Sequence, residues 1–134
     1  MTPPRGAEER GVLDTSVVIA GDLSPLPGLL AISAATIAEL HFGVLVARTP
    51  AVRADRLRRL TLLQARFDPL PVDDAVAASY GQLASTVHAA GRRPRAWVMD
   101  LLIAATAHAH GAVLYTRNAR DLAGLEELLE VRAV

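Results

Sequence analysis

Four short apolar runs, Val12–Leu13, Leu29–Ser33, Ala112–Thr116 and Leu129–Val134, are separated by segments long enough for helices. This alternation constrains the fold more than any other feature. Strands that are continuously apolar and joined through helices form parallel sheets covered on both faces, so the expected class is α/β with a central parallel sheet. At 134 residues the chain accommodates one such domain and not two. Ligands of these sheets bind outside the carboxyl ends of the strands, which directs attention to the residues just after each run.

Asp14-Thr15-Ser16 follows the first run and leads into Val17–Ala20, a strand turning directly into a helix. Gly21–Gly28, rich in proline and glycine, is a loop, and Ala34–Ala47 is a helix with Glu39 inside. Thr49 before Pro50 is a cap followed by a first-turn proline, opening a helix over Pro50–Arg66 with its arginines outward. Pro69 and Pro71 restrict any strand in Phe67–Val72 to a short or edge one. Asp73 caps a helix whose stripe is Val76, Tyr80, Leu83 and Val87, and Gly91 stops it. Gly91–Pro94 is a basic loop, and Asp100–His110 is a helix apolar on most sides, hence buried, ended by Gly111. Arg117–Asp121 is a polar loop and Leu122–Leu128 a short helix. Residues 1–10 read as a polar tail and 11–134 as the domain.

Composition removes several chemistries. There is no cysteine, which excludes disulfides, thiolate metal sites and thiol catalysis, so any metal must use oxygen or imidazole ligands. All 14 basic residues are arginine; without lysine there is no P-loop and no Schiff base. The 14 acids balance the arginines, yet Arg48, Arg53, Arg56, Arg58, Arg59 and Arg66 form a basic flank and Arg92, Arg93 and Arg95 a second group. The flank reads as a solvated face or subunit contact, with nucleic-acid binding as the alternative, and the second group as a substrate phosphate contact. With few aromatic residues a base-stacking platform is not expected, and Trp97 reads as a core or interface residue. His108 and His110 point to different faces of one helix and read as helix-end residues; His41 and His88 read as structural or surface. No segment has the pattern of a secretory signal or an uninterrupted membrane span, so the expected location is cytoplasmic.

Four acids remain. Asp14 and Asp121 follow candidate strands, Asp100 interrupts an apolar helix start, and Glu39 lies early in a helix after another strand. Taken singly, Asp14, Asp100 and Asp121 are also good helix caps and Glu39 an ordinary solvated charge. Taken jointly, all four can meet at one sheet edge, where carboxylates repel unless a cation sits among them. An oxygen-only cluster suits a hard ion, magnesium or manganese.

These residues resemble the PIN-domain ribonucleases, and within them the VapC toxins of bacterial toxin–antitoxin pairs. The matching segments are Val12-Leu13-Asp14-Thr15-Ser16-Val17, Thr36-Ile37-Ala38-Glu39-Leu40, Asp100-Leu101-Leu102-Ile103-Ala104-Ala105-Thr106-Ala107 and Thr116-Arg117-Asn118-Ala119-Arg120-Asp121-Leu122. The resemblance runs from Val12 to the C-terminus and implies a three-layer, Rossmann-like PIN fold. It places the family's acidic quartet on Asp14, Glu39, Asp100 and Asp121, as catalytic and metal-ligating residues, with Ser16, Thr116 and Asn118 as polar neighbours. Asp14 and Asp100 are the first choice as direct ligands. Some members carry an acid where this chain has Asn118, so the fourth position is open between Asn118 and Asp121, and with it the number of ions. The implied activity is magnesium-dependent endoribonuclease cleavage, with manganese as a substitute ion and Arg92, Arg93, Arg95 and Arg117 toward the RNA backbone. The implied partners are a second copy and a VapB-type antitoxin that blocks the acidic site. Two other classes stay open: a non-catalytic module that binds RNA or protein, and a DNA nuclease or phosphatase using the same site.

Overall fold

A computed structural model describes residues 9–21 and 25–134; the expected tail, residues 1–8, and positions 22–24 of the first loop lie outside them. Strands β1 (Arg10–Leu13), β2 (Leu29–Ala31), β3 (Val113–Thr116) and β4 (Val131–Ala133) alternate with helices α1 (Thr15–Ala20), α2 (Ala34–Leu45), α3 (Pro50–Arg66), α4 (Asp74–Ala89) and α5 (Val98–Ala109). The strands form one parallel sheet in the order β2-β1-β3-β4.

Strand alternation splits the interior into two cores. Val12 and Leu114, which pair in register, face α4 and α5 and pack with Val76, Leu83, Val87, Leu101 and Ile103. Their neighbours Leu13 and Tyr115, also in register, face the other way and pack with Val17 and Ile32, with Leu63 and Phe67 closing over them. The expected stripe on α4 is buried at Val76, Leu83 and Val87, and Tyr80 packs against the same core. His108 lies in the last turn of α5, as expected of a helix-end residue, and it also fastens two helices, because Ser79 Oγ on α4 meets its Nδ1 at 2.8 Å.

Local signals act as the sequence implies at several ends. Thr49 Oγ1 accepts from Val52 N at 3.1 Å with Pro50 in the first turn of α3, and Asp73 Oδ1 accepts from Val76 N at 3.0 Å to start α4. Part of the arginine flank has an internal role: Arg56 donates to the Gly43 carbonyl at 2.7 Å and Arg53 to that of Leu45 at 3.3 Å, holding α3 against α2.

Three expectations are corrected. Leu122–Leu128 is not a helix; the chain makes a 3₁₀ turn over Ala119–Leu122, extends at Ala123 and turns again at Gly124, whose φ of 96° no α-helix permits. Leu122, Leu125 and Leu129 are buried at helical spacing, but from successive turns. α5 begins at Val98, so Asp100 is its third residue and not its cap, and Arg93–Pro94 leads into a 3₁₀ turn over Pro94–Trp97. β1 begins at Arg10, inside the expected tail, and the Glu9 side chain is ion-paired with Arg132.

The crossover pattern fixes where a ligand can sit. From β1 the chain steps to β2 on one side, and later to β3 on the other, so the strand order reverses between β1 and β3. The residues that follow Leu13 and Tyr115 border the resulting crevice, and these are Asp14 and Thr116.

Candidate active site

Asp14 is held by the turn that carries it out of β1. Its amide donates to the Tyr115 carbonyl at 2.9 Å, continuing the sheet pairing by one residue. Its carboxylate is the N-cap of α1: Oδ1 accepts from Thr15 N at 2.8 Å, and Oδ2 from Thr116 Oγ1 at 2.8 Å and Ser16 Oγ at 2.9 Å. The residue is only 8% exposed, and three donors compensate the carboxylate for its lost hydration. Those donors are fixed in turn, because Thr116 Oγ1 accepts from Asn118 N at 3.0 Å and Ser16 Oγ from Arg117 N at 3.1 Å. Asp14 is therefore both a cap and a member of the site; the two roles do not compete.

Glu39 lies on α2, two turns from the Ser33 cap. Thr15 Oγ1 donates to Glu39 Oε1 at 2.6 Å and lies 3.1 Å from Thr36 Oγ1, so the residue after Asp14 fixes the carboxylate on the neighbouring helix. Thr15 and Thr36 were not singled out as functional in the sequence, although both fall inside its motifs. Contacts between residues 24 apart in the chain have no local signature.

Asp100 projects from the first turn of α5 and is half-buried. Burial, then the charges of Asp14, Glu39 and Asp121, push its carboxyl from the ordinary 3.8 up to about 6. Asp121 sits in the Ala119–Leu122 turn, with its amide on the Asn118 carbonyl at 3.0 Å. Asp14, Asp100, Thr116, Asn118 and Asp121, floored by Leu114 and Leu122, surround a cavity of about 10 Å³, room for one water or one small ion. Asn118 and Asp121 both border it.

The donor set is oxygen throughout, and the carboxylate repulsion felt at Asp100 is what a cation relieves, so the chemistry fits a hard divalent ion. Among the described residues, no three His, Asp or Glu side chains stand close enough together to hold an ion as they are placed. The cluster is thus convergent but spread, with Glu39 joined to it through Thr15 and by charge.

The arginines divide. Arg93 and Arg95 are exposed on the turn before α5, and Arg117 is exposed beside the cavity. Arg92 departs from the expected phosphate contact, because its guanidinium donates to the carbonyls of Asp121 at 3.1 Å and Ala123 at 3.3 Å and lies over the Trp97 ring at 5.0 Å.

A PIN-domain family model matches residues 11–127, and the chain is 38% identical to Ribonuclease VapC5 of Mycobacterium tuberculosis over 130 residues, covering 92% of this chain and 93% of that protein. The chain belongs to the PIN-domain family, on its VapC branch. This PIN domain is also 43% identical to Ribonuclease VapC8 of the same organism over 101 residues, covering 72% of this chain and 89% of the relative. A chain in the crystal structure of VapBC-5, a member of the VapBC family of toxin–antitoxin systems from Mycobacterium tuberculosis, superposes with a TM-score of 0.78 at 38% identity, over 93% of this chain and 97% of the other. VapBC-1 from nontypeable Haemophilus influenzae gives 0.73 at 26% identity, over 92% and 97%. The three-layer α/β arrangement is thus that of VapBC structures. No helix among the described residues of this PIN domain is long and apolar enough to cross a membrane.

Proposed function

We propose that this PIN domain is a magnesium-dependent endoribonuclease of the VapC type, with manganese as a substitute ion, and that a VapB-type antitoxin neutralises it. The observation that carries the reading is the convergence of Asp14, Asp100 and Asp121 on one cavity at the strand-order reversal, where the charges of Asp14, Glu39 and Asp121 act on Asp100. The curated relatives are named ribonucleases, which supports RNA as the substrate class.

In this reading Asp14 and Asp100 hold the ion, with Asp121 and Glu39 beside it. A divalent cation bound there supplies polarisation of a phosphoryl oxygen and a lowered pKa for water. Thr116, Ser16 and the Thr15 amide keep the Asp14 oxygens aimed, so its geometry is set before substrate arrives. Thr15 does the same for Glu39, which is thereby placed to orient water or accept its proton. Arg93, Arg95 and Arg117 face the polyanion with donors suited to phosphate, giving affinity that weakens with salt. A guanidinium at the mouth of this acidic cavity would pair with its carboxylates, which is how an antitoxin arginine would block the site.

Manganese titration followed by electron paramagnetic resonance tests the reading. Wild type is expected to bind the ion and Asp14→Asn to lose it while keeping its circular dichroism spectrum; a folded Asp14→Asn that binds manganese like wild type contradicts the assignment. Competition between RNA, DNA and a phosphomonoester identifies the substrate. The spread of the carboxylates favours one second reading, a non-catalytic module that binds RNA or protein, and that reading requires a folded protein with no metal-dependent cleavage.

A further inference from the structure

We propose that Arg92 is a positioning residue that locks the Asp121 turn to the start of the Asp100 helix, and does not contact the substrate. The inference rests on the proposed role of Asp100 and Asp121 as ion-holding residues.

The backbone places Arg92 for this. Gly91, just past the Ala90 cap of α4, has a φ of 82°; Gly91 N donates to the His88 carbonyl at 2.9 Å and Arg92 N to the Val87 carbonyl at 3.1 Å, the paired bonds of a Schellman stop. That stop directs the Arg92 side chain across to a loop 29 residues further on. Its two terminal nitrogens take separate carbonyls, Asp121 and Ala123, on either side of the point where the 3₁₀ turn ends and the chain extends. Its flat face lies over Trp97, the N-cap residue of α5, three residues before Asp100. One guanidinium thus touches two of the three segments that bring carboxylates to the cavity, and neither contact leaves its fork turned toward a phosphate. The geometry needs a planar fork with a stackable face; lysine offers neither.

The test uses the full chain as wild type, Arg92→Ala, Arg92→Lys and Trp97→Phe, each checked for fold by circular dichroism. In metal-free protein, hydrogen exchange of the amides of residues 119–125 is expected to speed up at least about tenfold in Arg92→Ala and Arg92→Lys alike, with α4 and β3 unchanged. Manganese affinity is expected to fall about tenfold in both, the scale seen when a group supporting a metal ligand is removed. Trp97→Phe, which keeps a ring, is expected to retain most of both properties. Binding of a mixed-sequence single-stranded RNA in EDTA is expected to keep its salt dependence in every variant. The proposal is overturned if Arg92→Lys behaves as wild type while Arg92→Ala loses RNA affinity and about one unit of salt slope, the mark of a phosphate contact. Unchanged exchange in Arg92→Ala, or faster exchange with unaltered manganese affinity, also overturns it. A wild type that binds no manganese defeats the reading of the site instead, and the exchange experiment still decides whether Arg92 holds the turn.

Discussion

Replacing Asp100 by asparagine is expected to stabilise the metal-free protein while removing its function. The carboxyl is pushed from 3.8 up to about 6, chiefly by burial and then by Asp14, Glu39 and Asp121. A shift of that size corresponds to about 3 kcal/mol of differential interaction at full strength. Asp100 is only half-buried and solvent screens the repulsion, so about 1–2 kcal/mol is the expected effect. The sign follows from proton binding: between pH 4 and 6 the native state holds a proton on Asp100 that the unfolded state has released, so native stability falls as pH rises through that window. Asparagine has nearly the same shape and no charge to repel. Urea denaturation of metal-free wild type and Asp100→Asn, run from pH 4 to 8, is the assay. The variant is expected to match wild type near pH 4 and to exceed it by about 1–2 kcal/mol above pH 7. With saturating magnesium the order is expected to reverse, because ligand binding stabilises only the protein that holds the ion. A variant no more stable than wild type at pH 7.5 without metal, or a wild type whose stability ignores pH between 4 and 6, refutes the electrostatic account.

Three other perturbations check different parts of the structure. Thr116→Val keeps the shape of a fully buried side chain but strips Asp14 of a donor and Asn118 N of its acceptor; a loss of about 1–3 kcal/mol in urea is expected, with weaker manganese binding. Gly11→Ala places a Cβ 2.6 Å from Tyr115 Cε2 between paired strands, and the ring must move from a site where Arg132 donates to its hydroxyl; a cost of about 1–3 kcal/mol by the same assay is expected. Manganese affinity of wild type is expected to drop as pH falls through about 6, because a proton on Asp100 competes with the ion, and to stay level from pH 7 to 8.

What the sequence revealed and what it hid have separable causes. The parallel sheet was readable because Val12, Leu13, Val113, Leu114 and Tyr115 are apolar on both alternating faces, which only a strand covered on both sides tolerates. Asp14 was readable because it stands at the end of such a strand. The turn that carries Asp121 resembles the start of a helix in sequence, since Leu122, Leu125 and Leu129 mimic helical spacing; the left-handed Gly124 breaks that pattern. The sequence points to Arg92 as a phosphate contact because charge in a loop before Asp100 has no other local explanation. Its actual partners are carbonyls, which any residue provides and no composition reveals. The Thr15 bond to Glu39 escaped for the same reason: it joins two motifs that only the fold brings together.

In the proposed function the carboxylates around Asp14 and Asp100 support metal-dependent cleavage of RNA. Incubating purified protein, free of antitoxin and shown to be folded, with total bacterial RNA in magnesium, in EDTA, and as Asp100→Asn tests it most directly. Discrete fragments that appear in magnesium and vanish in EDTA and with the variant are the predicted result. Intact RNA in every lane, or the same fragments from Asp100→Asn, contradicts it.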